Sequence, residues 1–217
     1  DNWKPQKSKT KNHLYAVWFN DERTGWAVGV EGTMLATQDG GQHWTEQKSG
    51  TSKQLFGIAF GDDKTGVAVG AEGTLLTTNN GGILWQAKSQ ASSVNLLRAF
   101  AVAPDKFWAV GTNGTILHSN DSGANWIAQQ SNSSSHLHSI LFVNQQLGWA
   151  SGADGTILKT SDGGVTWSAQ LSNSAQLLSA ISFADEKTGW VAGDGGVGYA
   201  TADGGETWSL QTDGGAN

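Results

Sequence analysis

The chain has 217 residues, 30 of them glycine and only 2 proline, with 11 tryptophans and no cysteine. Charged side chains make up 15% and the formal net charge is −6, so nothing draws the whole chain toward nucleic acid or an anionic membrane. Missing cysteine excludes disulfides, thiolate nucleophiles and Cys-based zinc sites, and no apolar run approaches the ~20 residues of a membrane span.

In chain order, residues 1–12 come first, with Trp3 and a basic run of Lys4, Lys7, Lys9 and Lys11 that reads as a solvated end. A start at Asp1 without methionine or signal peptide reads as a processed, exported protein or as a trimmed piece of a longer chain. Leu14–Phe19 is the first expected strand, Gly25–Gly29 the second and Gly32–Thr37 the third, and a fourth starts at Trp44. Later copies include Leu55–Phe60, Phe107–Gly111 and Gly155–Thr160. Asn113-Gly114 and Asp154-Gly155 join second to third strands, and such pairs suit a tight hairpin because both turn residues need φ > 0. No segment has helical periodicity with caps.

The elements repeat at one interval. Trp3, Trp44, Trp85, Trp126, Trp167 and Trp208 are each 41 residues apart, and Gly29, Gly70, Gly111, Gly152 and Gly193 keep the same spacing. Four short strands per ~40–50 residues, repeated without interruption, is the pattern of a propeller. We therefore expect an all-β, five-bladed β-propeller forming one domain over 1–217, with blades near 13–53, 54–94, 95–135, 136–176 and 177–217 and a surplus outer strand in 1–12. That strand, marked by Trp3, reads as a loosely packed end, as part of a longer propeller, or as a strand added to the sheet of another subunit, which would build rings or filaments.

The turn before each repeating tryptophan reads Thr37-Gln-Asp39-Gly-Gly41-Gln-His-Trp44, and Ser119 to Trp126, Thr160 to Trp167 and Thr201 to Trp208 follow it. Asp39, Asp121, Asp162 and Asp203 hold one place in it, and Asn80 replaces Asp in the second blade. A carboxylate there can accept backbone N–H groups across the turn. The indoles of Trp44, Trp85, Trp126, Trp167 and Trp208 are expected to fill the space between sheets. This motif is the Asp box, or bacterial neuraminidase repeat. Together with Gly25-Trp-Ala-Val-Gly29 and its copies, it resembles the photosystem II assembly and stability factor-like propellers over about residues 13–212. The resemblance implies an exported, non-catalytic scaffold with a protein partner. Members of that family usually have seven blades, where five repeats stand here.

Catalytic sets are missing. A sialidase-type site needs three arginines on a carboxylate, and the chain has only Arg23 and Arg98, at different repeat phases. A glycosidase needs two facing carboxyl groups, but Asp21, Asp62, Asp185 and the Asp-box residues recur as turn formers. His136 and His138 share a strand face with no third ligand fixed beside them, so no metal and no cofactor is expected. Gly193 to Gly198 spells a dinucleotide fingerprint inside a hairpin, without the strand–helix context it requires. What is left is a binding face: Glu31, Glu72, Asn113, Asp154 and Asp194 stand at or beside the second-to-third-strand turns, an acidic row suited to a basic partner. The expected function is protein binding or scaffolding outside the cytoplasm, with no nucleic acid, no membrane insertion and a protein or the chain itself as partner. The alternatives are a self-assembling subunit of an extracellular polymer and a carbohydrate-binding or glycosidase-like protein.

Overall fold

A computed structural model describes residues 4–88, 93–172 and 174–211. They form five four-stranded antiparallel sheets, the fold of a five-bladed β-propeller. The first blade consists of strands Leu14–Phe19, Gly25–Gly29, Met34–Thr37 and Thr45–Glu46, paired in chain order. The fifth consists of Ala180–Phe183, Gly189–Ala192, Gly198–Thr201 and Ser209–Leu210. Three single-turn 3₁₀ segments join second to third strands, and no helix among the described residues is long and apolar enough to cross a membrane.

Contacts divide the chain into two units, one of Asp1–Phe107 with Ser119–Trp126 and the other of Trp108–His118 with Ile127–Asn217. In the first, Trp26, Val28, Met34, Leu55, Ile58, Phe60 and Trp85 share a core. In the second, Trp149, Ile157, Leu178, Ile181, Val191 and Trp208 form its counterpart. Each core lies between two sheets, because alternate residues of a strand point to opposite faces and both faces of an inner blade are covered.

Two expectations need adjustment. The third strand starts at Met34, not Gly32, because Gly32 takes φ 68 in the turn before it. The fourth strand starts after the repeating tryptophan, at Thr45 in the first blade, and is only two residues long there. Gly29 also has a specific duty: a Cβ there would collide with the carbonyl oxygen of His13, and Gly70 and Gly152 meet Gln54 and His136 in the same way. This close approach is why glycine recurs at that step of the repeat.

Candidate functional site

The Asp-box turns are built around a hydroxyl and a carboxylate. In the first blade the Thr37 hydroxyl donates to Asp39 Oδ1 at 2.9 Å and accepts the N–H of Gly41 at 2.9 Å. Asp39 Oδ1 also accepts the N–H of His43 at 2.9 Å, and its second oxygen meets His43 Nδ1 at 2.7 Å. The fourth and fifth blades use threonine in the histidine's place, with the hydroxyls of Thr166 and Thr207 each donating at 2.6 Å to Asp162 and Asp203. Asn125 donates its side-chain amide to Asp121 at 2.7 Å. Blade two shows why Asn80 is tolerated: its Oδ1 accepts the N–H of Leu84 at 3.0 Å, and Leu84 has no side-chain donor for a second oxygen.

These bonds favour the charged carboxylate. The N–H and the ring of His43 hold the Asp39 carboxyl down at about 2. The hydroxyl and N–H of Thr207 hold Asp203 well below the usual aspartate range, Thr166 does the same for Asp162, and the N–H and amide of Asn125 for Asp121. Such carboxylates, already saturated with donors, are poor general acids and bases at neutral pH.

Trp44, Trp85, Trp167 and Trp208 are buried, each edge-on to a phenylalanine of its own first strand: Phe19, Phe60, Phe142 and Phe183. Trp126 differs. It is only half-buried and turns its indole N–H to the carbonyl of Gly123 at 3.0 Å. Three of the other turns have a glutamine bond that this one lacks, a column not singled out in the sequence, while the Trp208 indole N–H in the fifth blade is buried without a partner among the described residues. Gln47 Oε1 accepts the Trp85 indole N–H at 3.3 Å while its amide reaches the Gly81 carbonyl at 3.3 Å. Gln129 does the same for Trp167 and Gly163, and Gln6 for Trp44 and Gly40. Lys88 stands at this step before blade three. The signal was present as glutamine at 6, 47, 129, 170 and 211, each three residues after a repeating Trp, although Gln170 bonds within its own strand instead.

The acidic row is placed on exposed turns. In the first unit Glu31 and Glu72 occupy left-handed backbone at φ 55 and φ 53, and Glu72 pairs with Lys53 at 2.8 Å. In the second, Asn113 and Asp154 take φ 58 and φ 56, Asp194 lies beside Gly195 at φ 71, and Asp154 accepts the Ser135 hydroxyl at 3.1 Å. His136 Nδ1 accepts the N–H of Asn113 at 3.1 Å, which occupies one ring nitrogen. Burial pushes His138 down, with His136 adding to it. Among the described residues no group of three or more His, Asp or Glu is arranged to hold a metal ion. Asp21, Asp62 and Asp185 accept the N–H groups two and three residues on. Trp18 packs edge-on to Phe100 at 6.3 Å, with its N–H on Asn20. Trp3 lies outside the described residues, though the segment after it is seated through Gln6.

A groove of about 750 Å³ in the first unit runs between Trp26, Thr37, Gln38, Asp63, Asn80 and Ile83. Beside it Ile83 and Leu84 are exposed at the tip of the second Asp-box turn.

Solved structures confirm the fold. The chain aligns with "YCF48 bound to D1 peptide" at 21% identity and TM-score 0.53, covering 94% of this chain and 83% of that one. YCF48 from Cyanidioschyzon merolae gives 19% identity and TM-score 0.60 over 93% and 85% of the two chains. An ancestral GH74 enzyme gives 14% identity and TM-score 0.78, over 99% of this chain but 33% of the enzyme. No curated protein sequence matches. The family model described as "Photosynthesis system II assembly factor YCF48" matches residues 1–55, 46–133, 87–161 and 127–213, and the chain belongs to that family.

Proposed function

We propose that this chain is a non-catalytic, protein-binding propeller that works outside the cytoplasm, in the periplasm, at the cell surface or after secretion. The observation that carries this reading is membership of a family with a solved member that holds a peptide. The setting rests on the family's resemblance to exported scaffolds. The chemistry agrees, since the repeating carboxylates are spent on their own turns and are not free for proton transfer.

The recognition residues proposed in the first unit are the acidic turn residues Glu31 and Glu72. Glu31 and Glu72 stand in left-handed backbone, a conformation in which glycine or asparagine is the less costly choice. Both side chains are exposed at their turns. The carboxylates suit a partner segment with exposed lysine or arginine, bound more tightly at low salt.

An affinity-tagged chain passed through the host's envelope extract tests this. The expected result is retention of at least one protein at low salt and its release at high salt. Retention of none, or retention from cytosolic extract only, would reject the reading.

A further inference from the structure

The residues at which the second blade meets the Asp-box turn of the third all lie in the first unit, and they depart from the pattern one period earlier. There, Trp26 lies flat on Phe60, with ring centroids 3.6 Å apart and planes at 11°, and its N–H reaches the Gly81 carbonyl at 3.1 Å. Within the second unit Trp149 does the same with Phe183 and Gly204. One period on from Trp26, Phe60, Gly81 and Gln47 stand Val67, Ala101, Ser122 and Lys88.

With valine and alanine in place of two rings, the third blade's turn moves onto the second blade. A Cβ on Gly123 would meet Thr77 Cγ2 at 2.7 Å and Val67 Cγ1 at 3.1 Å, whereas a Cβ on Gly82 would meet the Gln47 amide. The Trp126 indole bonds to Gly123 of its own turn. Lys88 therefore stands at a glutamine's place without a glutamine's bonds. Three lysines are half-buried among the described residues. Lys106 pairs with Asp105 at 3.0 Å and Lys159 with Glu206 at 2.8 Å, while the Lys88 ammonium has neither an ion pair nor a hydrogen bond among the described residues.

Lys88 lines a pocket of about 240 Å³ together with Asn79, Leu84, Gln86 and Ser122. The carboxylate at its edge, Asp121, already accepts the Ser119 hydroxyl and both the N–H and the side-chain amide of Asn125. The pocket thus offers an ammonium, a hydroxyl and two amides, and its own carboxylate is taken. Ile83 and Leu84 form an apolar lip beside it, 83% and 57% exposed. A half-buried ammonium without a counter-charge is costly, and an incoming carboxylate removes that cost through a charge-assisted hydrogen bond. Adjoining exposed apolar side chains mark interaction surfaces.

We infer that this pocket binds a glutamate or aspartate side chain of a partner protein segment, with Lys88 as counter-ion and an apolar neighbour of that carboxylate resting on Ile83 and Leu84. The site is separate from the one proposed for Glu31 and Glu72. Glu72 precedes the strand Leu75–Thr78 and the Ile83-Leu84 tip follows it, so the two lie at opposite ends of the second blade, and they take opposite charges.

An NMR titration of the isotope-labelled full chain tests this with three probes: a capped dipeptide of leucine and glutamate, its glutamine counterpart, and inorganic phosphate. The glutamate dipeptide is expected to shift the amide signals of Leu84, Gln86, Lys88 and Ser122 saturably, and the glutamine dipeptide to bind roughly tenfold more weakly. Lys88→Gln should lose about the same factor with its other signals in place, Lys88→Arg should keep the affinity, and Leu84→Ala should weaken it. Val165→Ser, at the counterpart of Ile83 in the fourth Asp-box turn, should bind as the wild type does. Equal binding of the two dipeptides, undiminished binding by Lys88→Gln, phosphate binding at the same signals as tightly as the glutamate dipeptide, or no saturable shift at all would each overturn the inference.

Discussion

Asp154 and Asp162 stand in one blade, eight residues apart, and do different things. Asp162 accepts the Thr160 hydroxyl at 2.8 Å, the Thr166 N–H at 2.9 Å and the Thr166 hydroxyl at 2.6 Å. Asp154 sits exposed at φ 56 and accepts the Ser135 hydroxyl at 3.1 Å. One carboxylate closes a turn, while the other is presented on a turn that glycine would close at lower cost. The two kinds of turn thus use their carboxylates differently, the Asp-box one inward on its own backbone and the hairpin one outward toward solvent.

Buried packing beneath the turns carries the largest single contribution. Trp149→Ala removes a fully buried indole, its stack on Phe183 and its bond to Gly204, and should cost about 3–5 kcal/mol in denaturant unfolding. Acid should act on the Asp-box population together. Their pKa values are lowered in the fold, so the stability they lend is present above the ordinary aspartate value of 3.8 and is lost as pH falls through the folded values, about 2 for Asp39. Thermal unfolding measured from pH 5 to pH 2 should show this loss, and an Asp162→Asn variant should show less of it. Asp162→Ala at neutral pH should cost roughly 1–2 kcal/mol, since a turn carboxylate with charge-assisted bonds disappears. Glu31→Gly should instead be neutral or stabilising by up to about 1 kcal/mol, because glycine relieves the left-handed backbone, while partner capture weakens. Asn80→Asp is the smallest change, within about 0.5 kcal/mol, because Leu84 offers the new oxygen no side-chain donor.

Much of this architecture could be read from the interval of 41 residues. Period and turn chemistry are local properties, so the Trp column, the Asp box and the left-handed turns at Asn113 and Asp154 were legible. Burial at the blade faces was not. Repeat phase gives Leu14 and Leu55 one role, yet one is exposed and the other buried. What stands next to a blade decides that, and no pattern within the blade encodes it. The glutamine column was visible as letters, but its meaning depends on a bond from one blade's outer segment to the next blade's turn, as between Gln47 and Gly81. Where Lys88 stands in place of the glutamine, the Trp126 indole bonds to Gly123 of its own turn.

Recognition of a protein is proposed to lie with the turn-presented carboxylates and not with the turn-closing ones. It is tested most directly by comparing what the wild type and the triple variant Glu31→Gly, Glu72→Gly, Asp154→Gly retain from envelope extract at equal folded concentration. The variant is expected to melt no lower than the wild type and to lose the retained protein. Undiminished retention by a variant that is still folded would contradict it.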